Sequence, residues 1–79
     1  MKLTVKLSTT LRDHVKDYTP ETGLQVEMPE GSTVAQLAQN LGLPLQDIKI
    51  VMVNGRQHQV DDPMRDGDRI AYFPAVGGG

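Results

Sequence analysis

The sequence contains no cysteine, no tryptophan, and only two tyrosines and one phenylalanine. The absence of cysteine excludes a disulfide framework and a thiolate metal site. The formal net charge is −2. The sequence shows neither the basic stripe nor the aromatic platform that nucleic-acid-binding proteins use. We therefore expect no nucleic-acid partner.

Long hydrophobic runs are also absent. No segment approaches the ~18 consecutive apolar residues that indicate a membrane span, and the start, Met1–Val5, lacks the apolar segment of a signal peptide. We expect a cytoplasmic protein without a membrane partner.

Seventy-nine residues predict one domain with a small core. Such a core leaves little room for an enclosed active site, so we do not expect the chain to be an enzyme.

Two segments in the first third of the chain have the pattern of strands. Apolar and polar residues alternate over Lys2–Leu7 and again over Leu24–Met28, which is typical of half-buried strands. Because the first strand starts at the second residue, we expect it to lie inside a sheet. Between these strands, Leu11 and Val15 are spaced i, i+4 and predict two helical turns over Thr10–Asp17.

One segment has a strong helical pattern. Its apolar stripe has the spacing i, i+3, i+4 and i+7 and consists of Val34, Leu37, Ala38 and Leu41. Thr33 and Gln36 have the spacing of a capping box at the start. Gly42 suits the left-handed position that ends a helix, and Pro44 prevents continuation. The pattern predicts a helix of about three turns with one face on a sheet.

A hairpin is predicted in the second half. Ile50–Val53 is a β-branched run, and Asn54-Gly55 follows it directly. Asn-Gly is the strongest short hairpin signal, because a type I′ turn needs positive φ at both central positions. A short return strand is therefore expected over Arg56–Val60.

The last predicted strand is Arg69–Val76, with Ile70 and Tyr72 facing inward and Phe73 facing outward. The element order is β-β-α-β-β-β, with one helix on one face of a mixed sheet. The first and last strands are best placed side by side and parallel, because the helix-containing segment supplies the crossover. We therefore predict the α+β class and the β-grasp, or ubiquitin-like roll.

Residues that could carry chemistry have simpler explanations. His14 and His58 have no cysteine or second histidine nearby in sequence, so we interpret both as solvated. Four aspartates form an acidic cluster: Asp61, Asp62, Asp66 and Asp68. No glutamate follows Asp61, as a calcium loop would require, so turn formation is the better interpretation. We predict no catalytic residue and no metal site.

The printed sequence ends in Gly77, Gly78 and Gly79. Glycines have the least restricted backbone and no side chain to bury. We expect a domain of residues 1–76 followed by a flexible tail of residues 77–79 that ends in a free carboxylate. Three residues reach roughly 10 Å, so the tail could place that carboxylate in a narrow channel. The alternative is an inert linker or a frayed end.

Several segments together resemble one family. They are Thr10–Arg12, Glu30–Val34, Val53–Gly55, Met64–Ile70 and Ala71–Gly79, and they span nearly the whole chain. The chain resembles the sulfur-carrier proteins of the ubiquitin-like superfamily. Within that superfamily it looks most like the small subunit of molybdopterin synthase, and the thiamine-pathway sulfur carrier is the nearest relative.

Two positions depart from the molybdopterin pattern. That pattern usually has a second proline where Ala75 stands and a non-glycine residue where Gly77 stands. The ending Val-Gly-Gly-Gly is closer to the thiamine carrier. The thiamine carrier, however, is shorter between its first two strands and lacks the pair formed here by Phe73 and Pro74. Both pathways therefore stay open.

The resemblance implies a covalent function for the tail. Gly77, Gly78 and Gly79 would thread into a ubiquitin-activating-type adenylyltransferase, which would adenylate Gly79 with ATP. A sulfur donor, such as a cysteine desulfurase or a rhodanese-like protein, would then convert Gly79 to a thiocarboxylate. The acceptor would be the large subunit of molybdopterin synthase or a thiazole synthase. No cofactor would be bound permanently.

The last strand also predicts a partner surface. An outward Phe73 followed by Pro74, Ala75 and Val76 makes an apolar patch continuous with the tail, and such patches mark interaction sites. The alternative is that Phe73 only covers a sheet edge.

Two other functions stay open: a ubiquitin-like modifier that is conjugated through the same tail, and a β-grasp interaction module whose glycines are inert.

Overall fold

The computed structural model describes residues 1–16 and 18–74. The strands and the α-helix are β1 (Lys2–Leu7), β2 (Leu24–Glu27), α1 (Val34–Asn40), β3 (Ile48–Val53), β4 (Arg56–His58) and β5 (Arg69–Pro74). Two short 3₁₀ helices, Thr9–His14 and Leu45–Asp47, lie between them. The predicted order β-β-α-β-β-β is confirmed.

The five strands form one mixed sheet in the order β2-β1-β5-β3-β4. β1 and β5 are parallel, with Thr4 opposite Arg69 and Leu7 opposite Tyr72. The other three neighbouring pairs are antiparallel. The predicted parallel contact between the first and last strands is confirmed, and β5 is the central strand.

The core lies between the sheet and α1. Alternate residues of β1 and β5 are buried, which confirms the predicted inward positions: Leu3, Val5, Leu7, Ile70 and Tyr72. The Tyr72 hydroxyl donates a hydrogen bond of 2.7 Å to the carbonyl oxygen of Val34 at the start of α1. Burial raises the pKa of the Tyr72 hydroxyl, so this hydroxyl is a neutral donor. The bond joins the central strand to the helix.

The capping box of α1 is present as predicted. Thr33 Oγ1 accepts a hydrogen bond from Gln36 N at 3.2 Å, and Gln36 Oε1 accepts one from Thr33 N at 2.8 Å. Gly42 has φ of 78° and ends the helix. The helix has seven residues, about two turns, so the predicted three turns are wrong. Leu41 is the cap residue before Gly42 and not part of the last helical turn.

No helix in the described part of the chain is long and apolar enough to cross a membrane.

The two helical turns predicted over Thr10–Asp17 are confirmed in part. The structure has a 3₁₀ helix at Thr9–His14. Leu11 is buried in the core, whereas Val15 follows the helix with extended backbone angles, φ −125° and ψ 118°. A 3₁₀ helix has three residues per turn, so positions i and i+4 do not share one stripe. Asp17 lies outside the described residues.

The predicted type I′ hairpin is confirmed. Asn54 has φ of 52° and Gly55 has φ of 84°. The Asn54 side chain also contacts the start of β5: its Oδ1 accepts a hydrogen bond from Arg69 N at 3.0 Å, and its Nδ2 donates one to Asp68 Oδ1 at 2.8 Å. The turn therefore links β3 and β4 and also holds the entry to the central strand.

The bounds of β3 and β4 differ from the prediction. β3 begins at Ile48 instead of Ile50, and β4 ends at His58 instead of Val60. Beyond His58 the backbone turns toward the helix, because Val60 O accepts a hydrogen bond of 2.7 Å from Ala35 N. That carbonyl caps the first turn of α1 and is not available to extend the hairpin.

The backbone at Gly23 generates a testable prediction. Gly23 has φ of 72°, and a Cβ added there would lie 2.5 Å from Val5 O. Gly42 has a similar φ of 78°, but an added Cβ would have no atom within 4 Å. We expect Gly42→Ala to lower the free energy of unfolding by about 1–2 kcal/mol, the cost of a left-handed L-residue. Gly23→Ala should lower it by at least ~1 kcal/mol more, because of the added clash.

Urea denaturation of both variants measures this difference. Equal losses of stability for Gly23→Ala and Gly42→Ala would contradict the predicted close contact between β1 and the residue before β2.

Candidate partner-binding site

The candidate site begins at the outgoing end of β5. Phe73 is 37% exposed and points away from the core, on the opposite side from Ile70 and Tyr72. The predicted orientation of Phe73 is therefore confirmed. Pro74 is the last described residue and lies opposite Ile48 of β3. The other predicted site residues lie outside the described part of the chain: Ala75, Val76, Gly77, Gly78 and Gly79.

Phe73 belongs to a larger apolar surface on β3 and β5. Ile50 lies opposite Phe73, and Met52 lies opposite Ala71. Ile50 and Phe73 are two of the three large exposed hydrophobic residues among those described, and the third is Val60. We call Ile50, Met52, Ala71 and Phe73 the outer apolar face. Since cross-strand neighbours lie ~4.5–5.5 Å apart, these four side chains form one continuous patch.

Two cations border this face. A shallow groove of about 320 Å³ follows it, and Lys6 and Arg69 line the groove together with Met52, Ala71 and Phe73. Lys6 is held in place, because its Nζ donates hydrogen bonds to the carbonyl oxygens of two loop residues at 2.8 Å and 2.9 Å. The site therefore combines an apolar floor with a positively charged border.

Ile50 and Met52 were not among the predicted site residues. The alternation of β3, in which Val51 and Val53 are buried, contains the signal that Ile50 and Met52 point outward. The pairing of Ile50 with Phe73 could not be read from the sequence, because it depends on how β3 aligns with β5, a strand that does not follow it directly in the chain.

The aspartates form turns, as predicted. Asp66 Oδ1 accepts a hydrogen bond from Lys2 N at 2.7 Å, and Asp68 Oδ2 accepts one from Arg65 N at 2.8 Å. These bonds hold the turn before β5 against the start of β1. Among residues 1–16 and 18–74, no group of three histidine, cysteine, aspartate or glutamate side chains could hold a metal ion.

His58 has a partner that the prediction did not include. Its Nδ1 lies 3.2 Å from Asp62 Oδ2, which also accepts a hydrogen bond from Gln59 N at 2.9 Å. The spacing i, i+4 was visible in the sequence, but β4 is not helical, so it carried no expectation of contact. His58 and Asp62 hold the turn after β4, the strand at the edge of the sheet beyond β3.

A family model described as Mut7-C ubiquitin matches residues 1–77 of the chain. A comparison with curated proteins finds no match. The family model covers both the described fold and the predicted site residues Phe73–Gly77.

Solved structures of similar fold come from archaea and bacteria. Small archaeal modifier protein 1 of Haloferax volcanii has a TM-score of 0.74 and 20% identity, with 95% of this chain and 98% of that chain covered. A Pyrococcus furiosus protein assigned as subunit 1 of a molybdopterin converting factor has a TM-score of 0.72 and 23% identity, with 96% and 99% covered.

A third similar structure is a protein–protein complex of subunits 1 and 2 of the molybdopterin-converting factor from Helicobacter pylori. The matching chain has a TM-score of 0.61 and 18% identity, and both chains are covered completely. At these identities the three likenesses show the fold, which is the predicted β-grasp. The predicted resemblance to ubiquitin-like carriers is confirmed at the level of the fold, and the family match is more specific: the chain belongs to the Mut7-C ubiquitin family.

Proposed function

We propose that this chain is a sulfur carrier protein whose Gly79 is adenylated and then converted to a thiocarboxylate. The observation that carries the proposal is the outer apolar face, because two of its four residues, Ala71 and Phe73, lie on β5, which precedes Gly77–Gly79 in the sequence. An apolar surface on the strand before such a tail suits a protein that delivers its C-terminus to an enzyme. The chain itself would not be the catalyst.

The chemistry requires activation, because a carboxylate is anionic and has a poor leaving group. The Gly79 carboxylate would attack the α-phosphorus of ATP and release pyrophosphate, which leaves an acyl adenylate. The terminal sulfur of a persulfide would then displace AMP and form an acyl disulfide. A thiol would reduce that disulfide and release the thiocarboxylate. This sequence divides one difficult substitution into easier steps. The activating enzyme would supply ATP, and the chain would hold no permanent cofactor.

The receiving pathway is proposed to be molybdopterin synthesis, with the large subunit of the synthase as a partner. Two similar structures are assigned to molybdopterin converting factors, and one of them is a complex of two subunits. The alternative acceptor is a thiazole synthase of the thiamine pathway. The same tail chemistry would serve both acceptors. Upstream, the partners would be a ubiquitin-activating-type adenylyltransferase and a persulfide donor.

A second candidate function is protein modification. One similar structure is named small archaeal modifier protein 1. A modifier would use the same activated Gly79 but would form an isopeptide bond with a lysine. Isopeptide adducts in cell extract would favour this function over sulfur transfer. Normal complementation by a chain that lacks its glycines would instead indicate a non-conjugating interaction module.

The first prediction from this proposal concerns Gly79. After incubation with an adenylating enzyme, ATP and a persulfide donor, intact-protein mass spectrometry should show one oxygen replaced by sulfur, located at Gly79 by fragmentation. A known sulfur carrier treated in parallel is the control. An unchanged C-terminus, under conditions that convert the control carrier, would rule out the proposal.

The second prediction separates the tail from the domain. Deletion of Gly79 should abolish sulfur transfer, because the reacting carboxylate would be displaced by one residue from its position in the enzyme. The thermal unfolding midpoint should stay the same, since a chain end without a side chain contributes little packing. Retained transfer by the deletion variant, or a large loss of thermal stability, would contradict the assigned role of the tail.

The third prediction tests the outer apolar face. Phe73→Ala should weaken binding to the activating enzyme by roughly 30-fold, because truncation of an aromatic anchor at an interface typically costs ~2 kcal/mol or more. Val60→Ala is the matched control, because Val60 is 39% exposed but lies outside the face.

Titration calorimetry measures both affinities, and thermal melts check folding. If Phe73→Ala binds as tightly as Val60→Ala, Phe73 only covers the sheet and the proposed partner surface is wrong.

A further inference from the structure

A second surface lies beside Phe73, on the opposite side of β5 from Ile50. A small cleft of about 150 Å³ is lined by Ser8, Arg12, Tyr18 and Phe73, among others. The cleft lies near the last residues of β5, because Ser8 N donates a hydrogen bond of 3.2 Å to Tyr72 O. Any protein that holds the tail and covers Phe73 would also reach this cleft.

Arg12 is exposed on this cleft, yet it is held by two contacts. Its Nε donates a hydrogen bond of 3.0 Å to Leu7 O. Its guanidinium carbon lies 5.9 Å from the centroid of the Tyr18 ring, which is within the range of a cation–π contact. Tyr18 is also held in place, because its hydroxyl oxygen accepts a hydrogen bond of 2.8 Å from Leu7 N. The end of β1 therefore positions both side chains.

This arrangement leaves one edge of the guanidinium for an external acceptor. Arginine has five N–H donors in a planar fork, and the Nε–H is used by Leu7 O. The two terminal nitrogens can still bind a carboxylate with two parallel hydrogen bonds. Within residues 1–16 and 18–74, the sole ion pair is that of His58 with Asp62, so no described carboxylate neutralises Arg12.

A positioned arginine differs from an ordinary surface cation. A long side chain on a surface normally loses rotamer freedom when it forms an ion pair, and this cost cancels much of the gain. The contacts of Arg12 with Leu7 O and Tyr18 restrict the side chain before any partner binds. Restriction in advance raises affinity, because less freedom is lost on association.

We propose that Arg12 recognises a carboxylate side chain on the protein that receives the tail, next to the pocket that accepts Phe73. This inference rests on the proposed function only in that a partner protein must hold the C-terminus. The occupant is an aspartate or glutamate of that partner, since the cleft offers a positive fork and an aromatic wall. Phe73 would contribute the apolar part of the interface, and Arg12 would set its orientation.

The test measures binding to the adenylating enzyme without ATP, so that affinity is separated from chemistry. Arg12→Gln should weaken binding by about 10-fold at low salt, the effect of losing one charge-assisted bidentate contact. Arg12→Lys should recover only part of the loss, because a lysine is a point charge and cannot form the fork. Arg56→Gln is the matched control: it removes the same charge from β4, at the far edge of the sheet.

Repeating the titrations at higher salt adds a readout that a structural role would not change. The difference in affinity between the wild type and Arg12→Gln should shrink as salt screens the charge pair, while Arg56→Gln should follow the wild type throughout. Thermal melts report whether loss of the Leu7 contact destabilises the domain, and affinities are compared below the melting range.

The outcomes separate the two proposals. Equal binding by Arg12→Gln and Arg56→Gln would overturn the role of Arg12, and full recovery by Arg12→Lys would overturn the bidentate contact. If the wild type binds the enzyme but Gly79 gains no sulfur, the carrier function fails and the Arg12 result still stands. If the wild type does not bind at all, both proposals fail.

Discussion

The parallel contact between β1 and β5 is the constraint on which the rest of the structure depends. It joins strands that are far apart in the sequence, and the long loop between them makes this contact costly in chain entropy. β5 is held on both edges by β1 and β3. On the face of the sheet that packs against α1, it is held by the hydrogen bond from the Tyr72 hydroxyl to Val34 O. The position of the last described residues of β5 is therefore set by the core of the domain.

Because the side chains of β5 alternate between the two faces of the sheet, one set packs in the core and the other set is on the outer face. Ile70 and Tyr72 face the core, whereas Ala71 and Phe73 face outward. A shift of one residue in register would exchange the two sets, which would bury Phe73 and expose Tyr72 with its hydroxyl. The register is thus maintained by the burial of Tyr72, and the outer apolar face is a consequence of the same packing. The inward side chains of β5 are therefore constrained by the core, whereas the outward ones are not.

Local patterns in the sequence predicted the elements whose causes are local. β1 and β5 alternate, Thr33 and Gln36 form the capping box, and Asn54-Gly55 forms the turn. The errors occur where a distant contact decides the outcome. β4 stops at His58 because Val60 O caps α1, and the 3₁₀ helix around Leu11 is set by one side chain that inserts into the core. Ile50 meets Phe73 only because β3 and β5, which are not consecutive in the chain, align in this register. The covalent role of Gly79 came from resemblance, and the tail lies outside the described residues.

The β-grasp fold alone does not determine which partner is bound, because a modifier protein and molybdopterin converting factor subunits share it. Specificity is a difference in affinity between partners, so it must arise from side chains that the core leaves free to vary. Here those side chains lie on both sides of the last residues of β5. The outer apolar face is on one side, and the cleft lined by Arg12 and Tyr18 is on the other. Apolar contact supplies most of the binding free energy but little orientation, because it is non-directional. A positioned guanidinium supplies direction, since its hydrogen bonds require a carboxylate at a defined place and angle. The pair of surfaces therefore offers a physical basis for choosing between enzymes that would all accept the same glycine tail.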